Sequence, residues 1–314
     1  MREAFLNTLL EEAKRNPKIY LLTADLGYTV FERFQEEFPD RFINVGVAEA
    51  HMISCAAGLA MGGLIPVVYS IANFAVLRPF EQIRNDVCFP NHPVKIVGVG
   101  AGFAYGHAGF SHHSTEDIAL TRSMPNMTVL CPSGPLETAA CTKEMLMRPE
   151  PVYLRLSKKG EPDLVKDFTD FEIGKATLVR DGTDVVFFSC GMILDQVLEC
   201  ADLLSKTYRI EASVVNVHTV QPLDRKMILT QGAKTKHVIS VEEHGITGGL
   251  GSAIAEVLAE EGESGIRLMR CGIEDKFCTV TGDRNYLLEK SGLAPHRLQE
   301  RVLEFLRRPQ GSLR

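Results

Sequence analysis

Two doubly wound α/β domains are predicted from three features of the sequence. Short apolar, β-branched runs alternate with segments of helical apolar spacing along most of the chain, the pattern of a parallel sheet covered on both faces. The alternation lapses over residues 158–174, which are charged, aperiodic and carry Gly160 and Pro162, and then resumes. With 314 residues, 45% of them apolar, each half has enough material for its own core. The expected division is a first domain over 1–157, a linker over 158–174 and a second domain over 175–314.

Taken in order, Phe5, Leu9, Leu10 and Ala13 mark a helix that ends at Asn16-Pro17, and Ile19 to Thr23 is a strand closing on Asp25-Leu26-Gly27. A short helix over 31–38 and a brief strand at Phe42-Ile43 lead to a small-residue helix over 53–61. A strand over 65–69 follows, then helical spacing at Phe80, Ile83 and Val87, then a strand over 94–99. The loop 100–114 carries glycines at 100, 102, 106 and 109 and histidines at 107, 112 and 113. A helix is expected from Glu116, a strand over 128–131, a helix over 135–147 and a strand over 152–156. In the second half, strands are expected over 185–189, 212–217, 237–241 and 266–270, and helices over 193–204, 251–260 and 296–307.

Composition removes several function classes. A net charge of -6 offers no basic stripe for nucleic acid or an anionic membrane. No apolar run reaches membrane-spanning length, and Met1-Arg2-Glu3-Ala4 begins an amphipathic helix rather than a signal peptide. The eight cysteines are scattered without a Cys-x-x-Cys pair, which fits buried thiols in a reducing cytoplasm better than zinc ligation.

The most informative stretch is Asn44-Val45-Gly46-Val47-Ala48-Glu49-Ala50-His51-Met52. Glu49 falls between a strand and a tightly packed helix. Burial there raises a carboxyl pKa while nearby helix amides lower it, so the group is poised to exchange a proton with a ring nitrogen. The alternative is a first-turn acid that only complements the helix dipole.

Asn44 to Glu49, continued through Gly58-Leu59, resembles the pyrimidine-domain signature of transketolases and related thiamine diphosphate enzymes. The likeness continues through Phe80-Glu81-Gln82-Ile83-Arg84-Asn85, Gly109-Phe110-Ser111-His112-His113 with Glu116-Asp117, and Pro125-Asn126-Met127-Thr128-Val129. It extends to Val217-His218-Thr219-Val220-Gln221-Pro222-Leu223-Asp224 and to Glu242-Glu243-His244 with Gly248-Gly249-Leu250-Gly251. By that resemblance the folds are a thiamine diphosphate pyrimidine-binding domain followed by a transketolase C-terminal-like domain. Glu49 would bond the cofactor aminopyrimidine and favour the imino tautomer that deprotonates the thiazolium carbon. Phe74 would stack on the pyrimidine, or else be a core phenylalanine. Ile71 stands where relatives often place a second Phe, and Gln82 belongs to the same cofactor wall. His112 would assist substrate proton transfer or hydroxyl binding. His107 and His113 are further substrate-side candidates, with a structural role for His113 equally open. A metal on the three histidines does not fit, because two of them are adjacent and no nearby acid-plus-cysteine pattern accompanies them. The glycines of 248–251 read as packing rather than phosphate binding.

The family's Gly-Asp-Gly diphosphate motif is absent; Arg180-Asp181-Gly182 and Gly282-Asp283-Arg284 do not match. The resemblance therefore implies one subunit of a split enzyme. An N-terminal, diphosphate-binding subunit on a separate chain would supply the Mg²⁺ ligands, with two of each chain in the assembly. The reaction implied is transfer of a two-carbon ketol unit from a ketose to an aldose, sugars or sugar phosphates. Three donor-side positions depart from the family. Gly100 replaces a histidine, His107-Ala108 replaces Glu-Asp, and Lys158 replaces an arginine that grips phosphate. A non-standard donor is the expectation. Two rivals stand beside it: the β subunit of a 2-oxo-acid decarboxylating component, and a non-catalytic assembly subunit.

Overall fold

The computed structural model describes residues 1–27, 30–158, 160–165 and 171–308. Residues 159 and 166–170 of the expected linker lie outside the described residues. The strands are β1 (Ile19–Thr23), β2 (Phe42–Asn44), β3 (Ile65–Ile71), β4 (Lys95–Val99), β5 (Thr128–Leu130), β6 (Val152–Leu156), β7 (Thr177–Arg180), β8 (Val185–Ser189), β9 (Ala212–Asn216), β10 (Thr219–Gln221), β11 (His237–Gly245) and β12 (Arg267–Ile273). They form two sheets, β10-β5-β6-β4-β3-β1-β2 and β12-β11-β8-β9-β7. Every pairing is parallel except those of the edge strands β10 and β7.

The parallel interiors follow from composition. β4, β6, β8 and β9 are buried at every residue, so each must be covered on both faces by helices. The exceptions to the apolar rule are informative. Lys95 at the start of β4 is fully buried and donates to the carbonyls of Arg148 and Glu150 at 2.8 and 2.7 Å. Burial pulls its ammonium down to about 7.

The strands β7 and β10 were not expected. β10 pairs antiparallel with β5, so the sheet of the first half is extended by a strand from beyond residue 175. Apolar packing also crosses between the halves: Val186, Phe188 and Val217 belong to the same buried cluster as Met52, Ile53 and Ile96.

Helix boundaries shift where packing overrides spacing. The small-residue helix runs from Glu49 to Met61 rather than from Ile53, and Met52, Ile53, Ala56, Ala57 and Ala60 are buried along it. The run after Pro79 is an α-turn over Phe80–Gln82 that widens into a π-helix over Ile83–Cys88, burying Ile83, Val87 and Cys88. Two helices lacked a clear apolar period, Arg225–Thr235 and Arg284–Lys290. Each is started by an aspartate, Asp224 accepting from Met227 N and Asp283 from Tyr286 N.

One polar pair is sealed beneath the loop 100–114. Arg155 on β6 donates through Nε to Asp117 at 2.7 Å, and Tyr153 Oη donates to the same carboxylate at 2.6 Å. Burial pushes the Asp117 carboxyl up, but the Arg155 charge and its hydrogen bond leave it below the usual carboxylate range. Removing one member strands the other charge in the interior. Asp117→Ala is expected to cost about 3–5 kcal/mol in urea unfolding followed by circular dichroism.

Candidate active site

Glu49 opens its helix with only 3% of its surface exposed. Both carboxylate oxygens accept from Arg78 Nη1, at 2.9 and 2.8 Å. Arg78 follows the short helix Ala72–Val76, and its guanidinium lies 3.9 Å from the centre of the Phe74 ring. Glu49 and Phe74 are thereby brought to one place: a buried acceptor beside an aromatic face, with a planar, cationic donor laid across both. Arg78 was missed by sequence reasoning. A signal existed, since it is the first Asp, Glu, Lys or Arg after Glu49, on a chain that is otherwise apolar there.

The row continues. The His112 ring meets Phe74 edge-on at 5.1 Å and Tyr105 at 6.4 Å between centroids, and Ser111 Oγ lies 3.0 Å from its Nδ1. Lys158 Nζ stands 4.6 Å from the centre of the Tyr105 ring. One line of side chains therefore leads from Glu49 through Arg78, Phe74, His112 and Tyr105 to Lys158. Partial burial, then the neighbouring His113 and Arg78, hold the His112 imidazole below its ordinary pKa, so it is neutral at pH 7 and able to accept a proton.

Tyr105 was also missed. Gly100 explains its placement: with φ at +93°, a Cβ there would come within 2.1 Å of the Tyr105 ring. The glycine leaves room for a tyrosine to lie over the backbone at the loop's base.

The remaining candidates separate. His113 is buried, with Nε2 3.2 Å from Gly106 O and its ring edge-on to Phe103 at 5.1 Å; it packs inside the loop. His107 sits exposed on the turn Gly106–Ala108. Ile71 ends β3, half-buried, two residues before Asn73. Gln82 closes the turn Phe80–Gln82, and among the described residues no hydrogen bond joins it to the row. Asn73 Nδ2 donates to the carbonyls of Ser111 and His113 at 3.2 and 2.6 Å, tying the loop to the Phe74 helix. A cavity of about 570 Å³ opens beside these groups, lined by Asn73, Phe74, Arg78, Ser111 and His113 and on the far side by Ile273 and Phe277. Among the described residues no cluster of three or more His, Cys, Asp or Glu is placed to hold a metal ion.

The family description "Transketolase, pyrimidine binding domain" matches residues 1–161, and "Transketolase, C-terminal domain" matches residues 174–297. The chain belongs to the transketolase family. Among curated relatives, one of the subunits of the apulose-4-phosphate transketolase of Actinobacillus succinogenes is 38% identical, over 83% of each chain. The 6-deoxy-6-sulfo-D-fructose transketolase subunit SqwH of Clostridium sp. is 37% identical over 96% of this chain and 95% of its own. A solved structure described as a split gene transketolase, inactive beta4 tetramer, superposes with a TM-score of 0.86 at 38% identity, covering 96% of each chain. Against the transketolase of Campylobacter jejuni the chain spans 46% of the longer protein with a TM-score of 0.79 at 19% identity, a likeness of fold. Membership of this family is what the motifs led us to expect.

The His112 environment is directly measurable. In an NMR pH titration its ring protons should shift with a midpoint below the ordinary histidine value of 6.5, and Arg78→Gln should move that midpoint upward, because a nearby cation is removed. The move should be smaller than the whole displacement, since burial is the larger cause.

Proposed function

We propose that this subunit carries the pyrimidine-binding half of the active site and that the row from Glu49 to Lys158 is its working edge. The observation that carries this reading is the Arg78 guanidinium, a planar group of N–H donors seated on the Phe74 face and bonded to Glu49. An aminopyrimidine ring is likewise planar, presents N–H and ring nitrogen at its edge and stacks on an aromatic face, so the residues present fit thiamine diphosphate. Bound there, the cofactor supplies the nucleophilic carbon that takes up the ketol unit.

This chain's own residues do the rest. Glu49 faces the pyrimidine ring nitrogen as its hydrogen-bonding partner, in place of Arg78, in a site where low exposure strengthens the contact. Phe74 fixes the ring plane, and Ile71 and Gln82 are assigned to the same cofactor wall. His112, neutral at pH 7, accepts a proton from a substrate hydroxyl. Tyr105 and Lys158 form the far wall, with His107 and His113 completing the loop. A partner chain with the diphosphate-binding domain supplies the Mg²⁺ ligands, in an assembly of two of each chain that works in the cytoplasm.

The reaction is transfer of a two-carbon ketol unit from a ketose to an aldose. The donor side is where this chain differs. Tyr105 fills the space over Gly100, and Lys158 offers a compact cation rather than a two-pronged guanidinium. A non-standard ketose with an anionic end, phosphate or sulfonate, and other than the usual xylulose 5-phosphate, fits a point charge at the far end of the row from Glu49. The relatives named for apulose-4-phosphate and 6-deoxy-6-sulfo-D-fructose make this donor class the first to screen.

The test is mass-spectrometric detection of an aldose lengthened by two carbons when this chain is combined with its partner, thiamine diphosphate and Mg²⁺. Ordinary turnover with xylulose 5-phosphate would contradict the donor assignment, and release of CO₂ from a 2-oxo acid would contradict the reaction. Glu49→Gln is expected to lower kcat by about 10²- to 10⁴-fold, with the thermal transition of the isolated chain retained. The acid limb of kcat/KM should fall below pH 6.5, because activity is lost only as His112 gains a proton at its lowered pKa.

A further inference from the structure

The loop 100–114 leaves the first sheet after β4, yet it is anchored in the second half of the chain as well as in the first. Its ends are closed by Gly102 N donating to Ser114 O at 3.1 Å and by Ser114 N donating to Gly102 O at 2.9 Å. Phe103, immediately after this closure, is fully buried in the cluster that contains Phe187, Ile193 and Leu287 of the second half. Its backbone N–H donates to Glu243 Oε1 on β11 at 2.7 Å. Gly102 has to be a glycine here, since a Cβ would approach Glu243 Cγ to 2.5 Å. Glu243 Oε2 in turn accepts from Arg284 Nε at 2.8 Å, and Arg284 Nη1 donates to Asp195 at 2.8 Å. Arg155 joins the other end, donating to Ser114 O at 2.8 Å and to Glu243 O at 3.1 Å. The turn of the loop is held as well, because a Cβ on Gly106 would come within 2.3 Å of Gly282 O.

We propose that Glu243 is a positioning residue for the substrate loop: its carboxylate clamps the Phe103 amide into the second domain and thereby sets where His112 and His113 stand. The second domain then serves the active site directly, although it supplies no side chain to the row from Glu49 to Lys158. Glu243 is 5% exposed and braced on both sides, so its carboxylate has little freedom to follow a moving loop. The His113 ring against Phe103 and its Nε2 at Gly106 O carry the placement from the anchor to the histidines. The functional half of this proposal rests on reading the loop as substrate-facing; the clamp itself does not.

Hydrogen exchange on the full chain separates the two. Glu243→Ala leaves the Phe103 amide without its buried acceptor, and exchange across residues 102–114 is expected to rise about 10- to 100-fold. Glu243→Gln keeps an oxygen for Phe103 N while giving up the Arg284 ion pair, so its loop should exchange nearly as slowly as wild type despite lower global stability. Val302→Ala, a core truncation in the second half, should destabilise the chain without opening the loop selectively. The clamp is overturned if loop exchange in Glu243→Ala rises no more than in Val302→Ala, or if Glu243→Gln opens the loop as fully as Glu243→Ala. In the enzyme reconstituted with its partner chain, Glu243→Ala should raise the donor KM about tenfold with a smaller effect on kcat, rescued by Glu243→Gln. An opened loop with unchanged kinetics would uphold the clamp and overturn the substrate-facing reading of the loop.

Discussion

The fold turns on one buried guanidinium. Arg155 sits in the middle of the first sheet with 3% exposure and spends its donors on Asp117, Ser114 O and Glu243 O. A charge so far from water is tolerable only when paired and fully hydrogen-bonded. Meeting that demand fixes three things together: the start of the helix Asp117–Arg122, the closing end of the loop 100–114, and β11 of the second half. The polar interior here ties the loop, the helix and β11 to one guanidinium.

On that frame the row from Glu49 to Lys158 is presented along an edge. Glu49 is buried by its own chain, but the side chains around the row are open. Val47 is 73% exposed, Phe110 68% and Phe277 77%. Arg78 and Phe74 face the same side, and in the isolated chain the arginine satisfies the Glu49 carboxylate that would otherwise be buried and unpaired. An edge of exposed apolar groups around a satisfied acid is what half of a shared site presents. On the function proposed above, this chain would bring an acceptor and a stacking face, and a partner chain the metal and diphosphate side.

How much of this was legible depended on how local the cause was. Glu49 and His112 sit in contiguous motifs, Phe74 was named by resemblance alone, and the alternation of buried runs was enough for two parallel-dominated sheets. Arg78, Tyr105 and Glu243 were not found because each acts across the chain: Arg78 meets an acid 29 positions away, and Glu243 meets an amide 140 positions away. Tyr105 is explained by the glycine at 100, whose positive φ no spacing rule announces. The strands β7 and β10 are short and lie on sheet edges, so their pairing is decided by tertiary contact rather than by period. The helices Arg225–Thr235 and Arg284–Lys290 were not predicted, for want of an apolar period, although Asp224 and Asp283 stand as their N-caps.

If this chain holds only the pyrimidine side of the site, it cannot grip the whole cofactor alone. Isothermal titration of thiamine diphosphate with Mg²⁺ into the chain alone, and into the chain mixed with a partner carrying the diphosphate-binding domain, tests this most directly. Saturable, stoichiometric binding is expected in the mixture and only weak binding to the lone chain. Equally tight binding by the lone chain would contradict the assignment, because the diphosphate would then be held by residues of this chain.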